Sequence, residues 1–340
     1  MNKKVISLAL SAMFVLSAGS AMAMPLDFTG DFRLQGRVYD DTISGKAGTT
    51  LDERSFFQFR TRLMFSGQLD QDTSFFGRIS NRNNFGSPAL AANDSTKTTE
   101  FDWYGIKGKL DNWNYSLGRQ EVTLGQGSIL GTGADASGVT DRFDGVILTK
   151  KIGAYDVKVI GGKTMNVLTY IPDSAPAQWY GFDVNKQLND KVKAGIAFAS
   201  AKQDSASADS RKYFALNTAF QATPKFNISG EYTRSNASTD NAAYFVAGTY
   251  SLNKNSSFTV QYNNVEYNGV DKVLGGISPY SYSYSTNNLW AGDSKYSGFT
   301  YAYDRNIRKN LSFHAVYMNL KADGRTGSDK NFASGLVWSF

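Results

Sequence analysis

Apolar and polar residues take turns along most of this chain. In SFFQFRTRLMF, residues 55–65, Phe57, Phe59, Thr61, Leu63 and Phe65 share one parity, and Gln58, Arg60, Arg62 and Met64 share the other. At 3.6 residues per turn a helix would spread these phenylalanines and arginines around its circumference. A strand, with a period of two, sorts them onto an oily face and a wet one. The alternation recurs to the last residue in about sixteen segments bounded by Asn, Asp, Gly and Ser clusters. They begin near residues 26, 54, 73, 100, 113, 140, 154, 177, 191, 210, 225, 241, 256, 293, 311 and 330.

The connections alternate as well. Tight ones, such as Asp70-Gln71-Asp72, Asp111-Asn112, Asn189-Asp190, Thr223-Pro224 and Asn253-Lys254-Asn255, take turns with long ones around 40–53, 86–99, 125–139, 165–176 and 268–292. Short turns at one rim, long loops at the other and an even strand number describe an all-β fold, a transmembrane antiparallel barrel with periplasmic turns and extracellular loops. The rows Val192, Ala194, Ile196, Phe198 and Tyr244, Val246, Gly248, Tyr250, Leu252 would meet lipid. Trp113, Tyr115, Tyr155, Tyr180 and Phe214 would sit in interfacial girdles. The small and polar residues between them predict a water-filled interior. A soluble sandwich would need a polar exterior and a dry centre between two sheets, which these rows do not supply.

Composition narrows the picture. Residues 1–23 carry Lys3 and Lys4, a short apolar run and Ala21-Met22-Ala23, the pattern of a signal peptide, which makes 24–340 the mature barrel and the protein an exported one. The formal net charge is +6, of which Lys3 and Lys4 contribute two, leaving +4, too mild to argue for a nucleic-acid partner. There is no cysteine, hence no disulfide framework and no thiolate metal site. No later stretch approaches the roughly 18 uninterrupted apolar residues of a spanning helix, and mean hydropathy is −0.36. Membrane crossing, if any, falls to strands.

Parity also predicts the lining. With Phe28, Phe32, Leu34 and Val38 outward, Asp31, Arg33, Gln35 and Arg37 turn inward; the next two segments add Arg60 and Arg62, then Arg78 and Arg82. Facing lipid at mid-membrane, each guanidinium would cost about 2–4 kcal/mol, so the inward orientation is the one expected. Six arginines on three adjacent strands, some paired with carboxylates such as Asp31, predict a positive wall that biases permeation towards anions.

The final segment, NFASGLVWSF, places Phe332, Ser334, Leu336, Trp338 and Phe340 on one face. It resembles the ending of bacterial outer-membrane barrels, which implies that Trp338 and Phe340 form the signal read by the barrel-assembly machinery. Over nearly the whole mature chain the pattern resembles the Gram-negative-type porins, with the sixteen-stranded general-diffusion group as nearest model. The barrel of the porins of diderm Firmicutes is similar in style, but nothing in this sequence matches their surface-layer-homology domain, so a tethering role is not expected. The resemblance implies a homotrimer in outer-membrane lipid and a third long loop, following EFDWYGIKGKLDNWNYSLGRQEVTLGQGSILGTG (100–133), that folds inward as a constriction. Gln126, Ile129, Leu130 and Asp135 are its candidate residues, Ile129 and Leu130 as an apolar pin. Where porins of this group place an acidic loop, the segment 125–139 has Asp135 as its one charge, with Asp141 and Asp144 just beyond, which strengthens the anion expectation.

Other chemistry is thin. His314 is the single histidine and should point inward, with no serine motif beside it for a hydrolase. No metal set or cofactor motif can be assembled, so neither an enzyme nor a cofactor is expected. The expected function is an outer-membrane porin, a channel for passive diffusion of small hydrophilic solutes and ions with weak anion preference. The alternatives are a channel selective for sugars or phosphate, to which Tyr280, Tyr282, Tyr284 and Trp290 would contribute, and a barrel acting as adhesin or receptor.

Overall fold

The computed structural model describes residues 25–41, 54–85, 98–131, 142–164, 177–203, 210–270, 295–323 and 328–340. The signal region 1–23, Asp135, Asp141 and the aromatic run at 280–290 lie outside them. The long strands are β1 (Leu26–Asp41), β2 (Arg54–Gln68), β3 (Thr73–Phe85), β4 (Thr98–Leu110), β5 (Trp113–Gln120), β8 (Phe143–Ile152), β9 (Tyr155–Thr164), β10 (Ala177–Gln187), β11 (Val192–Gln203), β12 (Arg211–Thr223), β13 (Phe226–Ser235), β14 (Ala242–Asn253), β15 (Ser256–Val265), β16 (Tyr296–Arg308), β17 (Leu311–Ala322) and β18 (Asp329–Ser339). A small ribbon, β6 (Thr123–Leu124) and β7 (Leu130–Gly131), lies in the connection after β5. The long strands pair antiparallel in chain order and β18 returns to β1, closing a sixteen-stranded barrel. Seven strand starts fall where the alternation placed them, and the other nine within three residues.

The tight turns form because their side chains satisfy backbone donors that no strand partner can reach. Asp70 Oδ1 accepts from the amides of Asp72 and Thr73 at 2.8 and 2.9 Å. Asn189 Oδ1 accepts from Lys191 and Val192 at 2.9 and 3.0 Å, and Thr223 Oγ1 accepts from Phe226 at 3.0 Å. Asp111 enters the left-handed region at φ 52°, which Asp tolerates better than most residues.

The two faces separate as the parity requires. Phe28, Phe32, Leu34, Val38, Phe57, Phe59, Ile196, Leu216, Val246 and Leu336 are exposed on the outside. Asp31, Arg33, Gln35, Arg37, Gln58, Arg60 and Arg78 are buried on the other face. The inner wall departs from a uniformly polar, watery lining in two places. Val122, Leu124, Ile129, Leu130, Phe143, Trp179 and Tyr213 form one apolar cluster, and Phe245, Val265, Val270, Tyr296, Met318 and Leu320 another. In the first, the connection after β5 turns back onto the wall and apolar side chains bury against it rather than against water; in the second, Val270, just beyond β15, joins residues of the wall.

Candidate functional site

The arginines stand on three adjacent strands because the register makes them neighbours. Arg33 on β1 lies opposite Arg60 on β2, which lies opposite Arg82 on β3. Each is held differently. Asp31 bridges two of them, accepting from Arg60 Nη2 at 3.1 Å and from Arg62 Nε at 2.7 Å. Arg33 Nη2 donates to Gln58 Oε1 at 2.6 Å, and Arg37 Nε and Nη2 donate to Gln35 Oε1 at 3.0 and 2.8 Å. The Gln35 amide also meets Nε2 of His314 at 3.2 Å, placing the lone histidine on the inner face.

Arg78 is held by two carboxylates and a ring. Its Nε and Nη2 bond both oxygens of Asp102 at 3.0 and 2.8 Å, its Nη1 bonds Glu121 at 3.0 Å, and its guanidinium lies 4.4 Å over the Trp103 ring. Sequence reasoning missed Asp102 and Trp103 because a bulge in β4 interrupts the parity: Arg78 pairs with Trp103 but Ile79 pairs with Phe101, leaving Asp102 as the extra residue. Arg142, which bonds Glu100 at 2.7 Å, adds a further cation to this network.

Across the barrel the connection after β5 lies against the inner wall. Counting around the ring, β12 stands eight strands from β2, and the segment 122–131 packs on β10 to β13, the sector facing the arginines. Leu124, Ile129 and Leu130 are fully buried there with Trp179, whose Nε1 donates to Thr164 at 3.1 Å and whose ring stacks on Tyr213. Polar bonds fix the rest. Gly125 N donates to Asp183 Oδ2 at 3.2 Å; Gln126 N and Ser128 N donate to the two oxygens of Glu231 at 2.5 and 3.1 Å. Gln126 Nε2 reaches the carbonyl of Gly230 at 3.1 Å, and Lys158 Nζ reaches that of Thr123 at 2.8 Å.

Thus Gln126, Ile129 and Leu130 come together with the wall, whereas Asp183, Glu231 and Lys158, far off in sequence, carry no local signal of this role. Asp144, read as a neighbour of the loop, instead stands at an outward register position on β8. It makes a bidentate pair with Arg119 at 2.7 and 2.7 Å, beside the outward Tyr104. Trp338 and Phe340 lie on the outside, exposed, with the Phe340 ring 5.3 Å from that of Phe32.

No protein-family model and no curated protein sequence matches the chain. Solved structures do match in shape. A triple mutant of the Rh. blastica porin superposes with a TM-score of 0.58 at 11% identity, over 93% of this chain and 100% of that one. A double mutant of the same porin gives 0.58 at 12%, and a triple mutant described as Rhodopseudomonas blastica porin gives 0.57 at 12%, each with the same coverage. The fold is that of the sixteen-stranded porins.

Proposed function

We propose that the protein is an outer-membrane porin: a water-filled channel through which small hydrophilic solutes and ions diffuse passively, with a weak preference for anions. The channel role rests on the porin fold. The preference rests on one observation: six arginines on the inner face of β1–β3 stand opposite a loop segment, residues 122–131, without a charged side chain. A field pointing across such a gap favours anions where the bore is narrow. Asp31, Arg33, Arg37, Arg60, Arg62, Arg78 and Arg82 line the bore in this reading, and Gln126, Ile129 and Leu130 belong to the constriction, together with Asp135. Residues 1–23 direct export, and the aromatic end of β18 serves assembly.

The outer wall supports a homotrimer. The outward positions of β1–β3 carry phenylalanine, leucine and glycine but no tyrosine or tryptophan, the residues that mark a lipid interface. Towards the loop ends of β3, β4, β5 and β8 lie outward polar groups, the Asn81–Thr99 hydrogen bond at 2.8 Å and the Arg119–Asp144 pair. Polar bonds of this kind suit a protein neighbour better than acyl chains. Planar-bilayer recording of the purified protein tests the whole reading. Current stepping in threes, with a reversal potential of anionic sign in a salt gradient, is the expected result, and absence of conductance would sink it.

A further inference from the structure

We infer that the inner wall of β3–β5 carries a weak subsite for flat organic carboxylates, with Phe76 as the platform for the ring and Lys107 and Lys109 as the grip on the carboxylate. This rests on the channel reading above and names a class of solute for it. The register brings the three together on the inner face. Arg78 stands opposite Trp103; one step nearer the periplasmic turn Phe76 stands opposite Gly105, and one step further Ser74 stands opposite Lys107. On the other side Lys107 and Lys109 face Ser116 and Asn114 of β5. Phe76 and Trp103 belong to neither apolar cluster of the inner wall, and the connection after β5 packs on the far side of the barrel, so loop packing does not account for them. Their rings meet edge to face, with centroids 6.1 Å apart at 73°. Nε1 of Trp103, enclosed by protein, finds no acceptor among the described residues, so the indole is held through its ring, by Phe76 and by the Arg78 guanidinium. Phe76 leans across Gly105, where a Cβ would lie 2.9 Å from its ring. Both aromatic side chains are half-buried, and each leaves apolar surface to the bore.

Charge completes the site. Lys107 and Lys109 are exposed and take successive inward positions, about 7 Å apart along the strand. A cavity of about 440 Å³ opens beside them, lined also by Ser74, Asn114, Ser116 and Thr149, with Asp72 as its one carboxylate. Two lysines against one aspartate leave it positive, and its hydroxyl and amide groups suit an oxygen acceptor. Gly105 and Gly118, paired one step further from the periplasmic turn, put no side chain of their own between the lysines and the Phe76 ring. A planar ring bearing one carboxylate matches this spacing, lying against Phe76 while its oxygens reach a lysine. A small inorganic anion meets only the lysines, and a neutral sugar only the rings. Both contacts are partial, as a channel requires, because a solute held too firmly would not leave.

Sodium benzoate is the probe, with acetate and glucose as controls, added to the whole protein in planar bilayers in potassium chloride. Benzoate is expected to lower single-channel conductance saturably, with a half-blocking concentration about fivefold below that of acetate, the gain that one aromatic contact supplies. Glucose is expected to leave the current unchanged. Phe76→Leu, which keeps an apolar side chain over Gly105, is expected to raise the benzoate value to near that of acetate, and Lys107→Gln combined with Lys109→Gln to raise both values. Equal block by benzoate and acetate, or benzoate block unchanged in Phe76→Leu, would overturn the platform. Block unchanged in the lysine variant would overturn the grip, and block by glucose at the same concentrations would give the rings to sugars and overturn the solute class. Equilibrium dialysis of benzoate against the detergent-solubilised protein gives an answer that does not need conduction: the wild type is expected to take up more benzoate than Phe76→Leu, and equal uptake would overturn the subsite. A wild type that does not conduct defeats the channel reading and leaves dialysis to decide the subsite by itself.

Discussion

Phe340 closes the barrel on Gly30. Their backbones exchange N–H···O bonds at 3.0 Å in both directions, and the Phe340 ring occupies the space in which any side chain at position 30 would have to stand. The last residue of the chain is thus a structural part of the seam between β18 and β1.

Gly30→Ala is expected to disturb that seam, since its Cβ would fall 2.5 Å from the Phe340 ring and would also meet the Arg62 carbonyl. Overpacking of this kind costs about 1–3 kcal/mol. Gly36→Ala, six residues along the same strand, meets only the movable Phe57 ring at 3.4 Å and should be tolerated. The measurement is the fraction of folded, heat-modifiable protein by gel mobility after refolding into detergent. Equal fractions for the two variants, or normal assembly after deletion of Phe340, would contradict the role given to the seam.

The arginine wall predicts a selectivity experiment. Replacing Arg60, Arg62 and Arg78 together by Ala removes three of the six positive charges and is expected to move the reversal potential in a salt gradient towards, or past, zero. Glu121 would lose Arg78, and Asp102 would keep Arg142, at 3.8 Å, in place of the closer Arg78, which pushes the shift in the same direction. No shift, or cation selectivity already in the wild type, would remove the wall from the mechanism.

Asp31 gives the opposite sign. Its carboxylate binds Arg60 and Arg62 at once, so Asp31→Asn leaves the wall one unit more positive and raises anion preference. The same change weakens two charge-assisted hydrogen bonds, worth about 1.5–3 kcal/mol each, and so lowers the unfolding midpoint in denaturant. A variant with unchanged selectivity would mean that the field in the bore is set elsewhere.

How far these groups were legible in the sequence differs from part to part. Period-two alternation is imposed by lipid on one side and water on the other, so β1, β2 and the orientation of Arg33, Arg60 and Arg62 could be read directly. The ends of strands could be read because Asp70, Asn189 and Thr223 are chemically suited to turn the chain. The partners of Arg78 could not, because the bulge at Asp102 breaks parity and nothing local announces it. The loop's anchors were half visible: Ile129 and Leu130 advertise an apolar contact, but Trp179, Asp183 and Glu231 meet them only after the barrel closes. Apolar inner positions such as Phe245 and Met318 were concealed for the same reason, since parity tells which face a residue is on and not which neighbours, such as Val270, it will meet there.

The Arg119–Asp144 pair offers a test of the trimer that does not depend on conductance. At outward positions near the loop ends of β5 and β8, the two side chains are 20% and 32% exposed in the single chain and would be buried by a neighbouring copy, where removing one partner leaves the other uncompensated, a loss of about 3–5 kcal/mol. Arg119→Leu or Asp144→Leu alone is therefore expected to lower the temperature at which the oligomer dissociates in unheated gels. The double variant, which replaces the pair by apolar groups of similar volume, should recover most of that loss, because a well-packed apolar contact substitutes for a desolvated ion pair. If each single variant dissociates at the wild-type temperature, the pair faces something other than a second copy of the chain, and the interface must be sought on another sector of the wall.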